Sequence, residues 1–115
     1  MKCQMPLLGA CAVMLAGVAH SAEPAVSGQA VYEHWCAPCH APGPGHPGTQ
    51  SLQLKYKGQL SAVLLERTDL TPATVSTFVR QGVLLMAPFR KTEITDAQLG
   101  ALSAYVAGNF KAAAK

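Results

Sequence analysis

What this chain lacks narrows its function before any motif is considered. No run of Lys or Arg appears. If Lys2 is removed with the first residues, eight basic side chains remain against six acidic ones, net +2. That balance leaves no footprint for nucleic acid. There is no amphipathic membrane helix, no internal repeat and no strand-like alternation of any length, so the expected fold class is all-α. Past the first residues only Cys36 and Cys39 remain as thiols and only Met86 as a thioether, because Cys3, Cys11, Met1, Met5 and Met14 all lie upstream.

The upstream stretch reads as a targeting segment. Lys2 supplies a positive start, and Leu7 to Val18 is apolar but short for a membrane span. Small residues follow, and cleavage after Ala22 or after Ala19 would each fit. The signal peptide is therefore expected over 1–22 (cleavage possibly after 19), with one domain over 23–115. A lipoprotein-like Leu8-Gly9-Ala10-Cys11 has too short an apolar run before it, and an uncleaved anchor is the remaining alternative.

The chemistry concentrates in Cys36-Ala37-Pro38-Cys39-His40. Two cysteines three apart with a histidine directly after form an attachment site for c-type haem. The thiols of Cys36 and Cys39 add to the two vinyl groups, and His40 is held where an imidazole nitrogen binds iron. A redox dithiol is the first alternative, but it expects a strand before the motif and a βαβ context. Zinc is the second, and needs further ligands where the mature chain offers only His34 and His46. Haem c, one per chain and covalently attached, is the reading adopted. In Gram-negative bacteria it is attached after export, which places the protein in the periplasm. A domain this small struggles to bury enough apolar surface alone, and the haem becomes the centre of its core. Both thiols being occupied, no disulfide is expected.

Three or four helices are expected. Ser27 caps one that runs into the haem motif, with Val31 and Trp35 on one face. Residues 41–48, with three prolines and three glycines among eight, form a constrained loop. A short helix lies around Leu60 to Arg67. Thr71-Pro72 starts another that ends near Gly82. Thr95 and Gln98 form a capping box for the last, in which Leu99, Leu102 and Val106 recur at helical spacing. The tail Lys111 to Lys115 frays.

Met86 is the candidate second axial ligand: a thioether in a loop segment, Gly82 to Arg90, that can reach across a haem face. The alternative is that it fills a gap in the core. His46 is the rival ligand, six residues past His40 in a stiff loop, and His34 precedes the motif on a helix. His40 is expected to donate its other ring nitrogen to a backbone carbonyl. Trp35, Tyr56, Arg67 and Arg90 are each candidates to bind a haem propionate.

On Gly28-x-x-x-Tyr32, the haem motif, the loop methionine and Leu102-x-x-Tyr105, the chain resembles class I bacterial cytochromes c. The resemblance implies a small fold of three to four helices around one haem. It also implies that Gly28, Tyr32, Leu102 and Tyr105 serve the crossing of the first and last helices. The carbonyl that holds the proximal histidine would come from Pro44 or Pro47. Leu84, Leu85, Ala37 and Pro38 would flank an exposed haem edge suited to docking, although Leu84 and Leu85 equally suit a core. Met86-Ala87-Pro88 departs from the family's more usual Met-Pro.

Val79-Arg80-Gln81-Gly82, CAPCHAPGPGHPGT and RTDLTPA (67–73) are further similar to the cytochrome subunits of 4-alkylphenol-oxidising flavocytochromes, the p-cresol methylhydroxylase and eugenol hydroxylase group. That resemblance implies a partner, an FAD-containing flavoprotein of the vanillyl-alcohol oxidase type, and a downstream periplasmic acceptor. It also implies a chain that transfers electrons and is not itself an enzyme. A free diffusible periplasmic carrier is the alternative. A peroxidase or gas sensor is the third class, and needs an open iron site.

Overall fold

The computed structural model describes residues 25–108. The expected signal peptide and the tail from Lys111 to Lys115 lie outside the described residues.

Among the described residues five α-helices follow in order: α1 (Gly28–Trp35), α2 (Ala37–His40), α3 (Pro47–Tyr56), α4 (Pro72–Gln81) and α5 (Asp96–Val106). No strand occurs among the described residues, and the fold is all-α, consistent with a small class I cytochrome c. The expected count of three or four is corrected to five. The added elements are the four-residue α2, which carries the haem motif, and α3, which the sequence did not disclose. The helix expected around Leu60 to Arg67 is a single 3-10 turn, Leu64–Glu66.

The starts follow the capping rules. Ser27 Oγ accepts from the Ala30 N–H at 3.2 Å, and Thr71 Oγ1 accepts from the Thr74 N–H at 3.1 Å with Pro72 at the first helical position. Thr95 and Gln98 form the full reciprocal box, at 3.2 and 2.8 Å, each such cap contributing about 1 kcal/mol. α4 ends on Gly82, whose φ of 72° a side chain would resist.

α1 and α5 cross in direct backbone contact. A Cβ on Gly28 would lie 2.1 Å from the Ala101 carbonyl oxygen and 2.8 Å from Tyr105 Cβ, so only glycine permits this approach. One turn along, the Tyr32 and Tyr105 rings pack with centroids 5.8 Å apart. The core runs from this crossing through Val31, Leu99, Leu102 and Val106 to Val75 and Val79 of α4, with Leu70 and fully buried Ile94 closing it. Ser76 and Ser103 hydroxyls share a hydrogen bond of 2.9 Å between α4 and α5.

Arg80 is the clasp between α4 and the chain that follows. Its guanidinium donates to the Phe89 carbonyl at 3.1 Å, the Ile94 carbonyl at 2.8 Å and the Asp96 carboxylate at 3.0 Å. Three acceptors on one planar fork fix the path from α4 to α5.

Candidate haem cleft

The frame leaves a mostly apolar cleft that is open to solvent, the character of a cofactor site. Cys36 and His40 line it from the motif, Leu52 and Tyr56 from α3, Val75, Phe78 and Val79 from α4, and Leu102 and Val106 from α5. Met86 lines it from the loop after α4. Side chains as far apart in sequence as Cys36 and Val106 thus meet at one cavity.

α2 sits where it does because three contacts hold it. The Tyr32 hydroxyl donates to the His40 carbonyl at 3.1 Å, tying the motif to the α1–α5 crossing. Burial pushes that phenol up to about 12, with a smaller contribution from Cys36. Thr49 Oγ1 donates to the Ala41 carbonyl at 2.9 Å, and His46 Nδ1 to the Pro38 carbonyl at 3.0 Å.

His40 departs from expectation. Its Nδ1 is buried and makes no hydrogen bond, so neither Pro44 nor Pro47 supplies the anticipated carbonyl. The ring instead lies against Gly48, where a Cβ would stand 2.7 Å from Cε1 and 2.8 Å from Nδ1. Burial holds the imidazole below its usual pKa, which keeps it neutral and able to donate a lone pair.

Met86 is placed by a tight turn. Val83 and Met86 exchange backbone hydrogen bonds, Val83 N–H to Met86 at 3.0 Å and Met86 N–H to Val83 at 2.9 Å. The Phe89 N–H donates to the Val79 carbonyl at 2.8 Å, returning the chain to α4. Closing the turn forces Leu84 to a φ of 52°, a conformation rare for a branched side chain. Gly82 completes it: a Cβ there would lie 2.6 Å from the Met86 carbonyl oxygen. Leu84 and Leu85 stand at the tip, 90% and 94% exposed, and so are not core residues.

The structure also sorts the other candidates. His46 and His34 do not line the cleft: His46 precedes α3 on the Pro38 carbonyl, and exposed His34 stands edge-on to Trp35. Trp35 packs against Phe89, ring centroids 5.7 Å apart, and exposed Arg90 pairs with Glu93. Tyr56 and Arg67 do line the cleft. Arg67 is buried, grips Asp69 through two hydrogen bonds of 2.5 Å, and lies 4.7 Å from the Tyr56 ring centroid. Arg67 in turn holds the Tyr56 phenol below its usual range, with a smaller contribution from Lys55. Lys55 also lines the cleft and lies 5.2 Å from the same ring centroid, so two basic side chains meet at the Tyr56 phenol. Of these residues only Lys55 went unnamed in the sequence; its place three residues past Leu52 on α3 was the available signal.

The rival chemistries fit poorly. A redox dithiol needs a thiol with a depressed pKa, whereas burial pushes Cys36 up to about 11. Among the described residues no three of His, Cys, Asp and Glu gather as a metal cluster. The residues do fit a haem: the Cys36 thiol, a neutral imidazole and a thioether face one apolar cavity, and exposed Cys39 stands outside its lining.

An all-α domain with Cys-x-x-Cys-His on such a cleft defines a c-type cytochrome. The family model for cytochrome c oxidase, cbb3-type, subunit III matches residues 23–106, and the chain belongs to that family. Membership implies covalently bound haem c and a role in electron transfer rather than catalysis. Domains of this class are usually exported or membrane-associated, and among the described residues no helix is long and apolar enough to cross a membrane. No curated protein and no solved structure matches the chain.

Proposed function

We propose that this protein is a periplasmic mono-haem cytochrome that accepts single electrons from a flavoprotein dehydrogenase oxidising 4-alkylphenols and passes them to a downstream acceptor. The observation that carries the electron-transfer part is the meeting of Cys36, His40 and Met86 at one apolar cleft. Cys36 and Cys39 would hold the haem through thioether bonds, and His40 and Met86 would supply the nitrogen and sulfur that bind its iron. Haem c so held supplies a one-electron couple, with thioether ligation favouring the reduced state. Arg67, with Tyr56 beside it, would bind a propionate, and Asp69 keeps the guanidinium in place.

The partner assignment is supported by segments 67–73 and 79–82, at the two ends of α4, which resemble the cytochrome subunits of alkylphenol-oxidising flavocytochromes. It is also supported by the exposed Leu84–Leu85 tip beside Met86, an apolar contact available to a flavoprotein of the vanillyl-alcohol oxidase type. The family description favours a second reading, a subunit of a terminal oxidase. A pull-down of the tagged protein from its host's periplasm after growth on a 4-alkylphenol, stained for haem and viewed for flavin fluorescence, separates them. A flavin-bearing band in fixed ratio supports the proposal. Haem protein recovered alone while the flavoprotein is expressed supports a free carrier, and recovery only with an oxidase from solubilised membranes supports the second reading.

A further inference from the structure

We propose that Gly48 is the positioning residue for the His40 imidazole, its bare α-carbon forming the seat on which the ring rests. The inference builds on the reading of His40 as iron ligand.

The usual reasons for a glycine do not apply at position 48. It is the second residue of α3, and it is not among the glycines with positive φ. A helical position with ordinary dihedrals favours alanine by roughly 0.5–1 kcal/mol. What the glycine provides is space. A Cβ would stand 2.7 Å from His40 Cε1, 2.8 Å from His40 Nδ1 and 2.7 Å from the Cys39 carbonyl oxygen. Against an ordinary contact of about 3.4 Å, the neighbours would have to give by about 0.7 Å.

Neither side can give freely. The first turn of α3 is fastened on both flanks of Gly48, through His46 to the Pro38 carbonyl and through Thr49 to the Ala41 carbonyl. Those two acceptors bracket His40 in the chain. α2 is held from the opposite direction by the Tyr32 hydroxyl on the His40 carbonyl. Between these fastened segments, contact with Gly48 limits the rotation of the His40 ring. A methyl group at position 48 therefore turns the imidazole and also presses on the Cys39 carbonyl.

The test compares holoprotein carrying Gly48→Ala with wild type and with Gly100→Ala, a helical glycine with open space around it. The readouts are the paramagnetically shifted haem-methyl resonances of the ferric protein, which follow the orientation of the imidazole plane, and the midpoint potential. Gly48→Ala should redistribute the methyl shifts and move the potential while keeping a low-spin spectrum; Gly100→Ala should leave both unchanged. Identical methyl shifts and potential in Gly48→Ala would overturn the proposal. Should that variant fail to accumulate, the wild-type ferrous protein decides: strong nuclear Overhauser effects between the Gly48 α-protons and the His40 ring are required, and their absence overturns it. His40→Ala tests the underlying reading separately, since a retained low-spin spectrum there removes His40 as ligand whatever Gly48 does.

Discussion

Replacing Gly28 with alanine puts the α1–α5 crossing under direct test. The new Cβ would stand 2.1 Å from the Ala101 carbonyl oxygen. To reach a contact of about 3.4 Å the two backbones must part by about 1.3 Å. A flexible side chain could swing away, but here the obstacle is main chain within a helix. Separation also loosens the Tyr32–Tyr105 packing and the buried contacts of Val31 and Leu102. Overpacking of a well-filled core costs typically 1–3 kcal/mol, and a backbone obstacle belongs at the upper end. Helix propensity returns at most about 1 kcal/mol, less at the first helical position, so a net loss of about 2 kcal/mol is expected. Urea unfolding of the holoprotein, followed by far-UV circular dichroism, measures it from the midpoint shift at constant slope. Gly100→Ala in α5, with nothing near its Cβ, should instead gain about 0.5–1 kcal/mol. A Gly28→Ala midpoint at or above wild type would refute the close crossing.

Met86→Ala should lower the midpoint potential and admit added ligands to the iron, and an unchanged ferric optical spectrum would remove Met86 as ligand. Tyr32→Phe should cost about 1 kcal/mol at neutral pH through the lost bond to the His40 carbonyl. Because the folded phenol is raised to about 12 from 10.0, wild type should lose stability as pH rises between those values, by about 1.4 kcal/mol per unit; urea midpoints of the Phe variant should lack that component. Asp69→Asn should cost about 1–3 kcal/mol, since it leaves the buried Arg67 guanidinium without its carboxylate. Arg67 depresses the Asp69 pKa, so the stabilisation is present above the ordinary carboxylate range and lost as pH falls below it. Urea midpoints of variant and wild type should therefore converge in acid.

The sequence disclosed the elements whose signals are local. Ser27, Thr71-Pro72 and the Thr95–Gln98 box each set a helix start through bonds within three residues, and those helices lie where expected. α3 escaped for a physical reason. Of its ten residues only Thr49 is buried; its apolar positions Leu52 and Tyr56 face the cleft rather than another helix, so no stripe marks it. Pro47 at the first helical position was the signal available, obscured by the prolines and glycines before it. Among the candidates to bind a propionate, residue type alone could not separate Arg67 from Arg90. Burial did so, through an Asp69 pair and a Tyr56 ring that only the folded chain brings together. The left-handed Leu84 was equally illegible, because nothing in a Leu-Leu pair announces a positive φ; the closure of Val83 on Met86 imposes it.

The two candidate ligands are held by separate anchors. His40 is tied to the α1–α5 crossing through Tyr32 and to α3 through Gly48. Met86 depends on neither: its turn closes on Val83, rests on Gly82, and returns to α4 through Phe89 and Val79, with Arg80 fixing the chain beyond. A disturbance on one side need not travel to the other, since α4 and α5 join through their own Ser76–Ser103 bond and a buried core. The turn that aims Met86 into the cleft also thrusts Leu84 and Leu85 outward, one backbone strain serving both placements. Strain of this kind persists where surrounding bonds over-determine it, and here the bonds of Val83 and Phe89 do so. Ligand placement and an exposed apolar tip are thus products of the same four-residue closure.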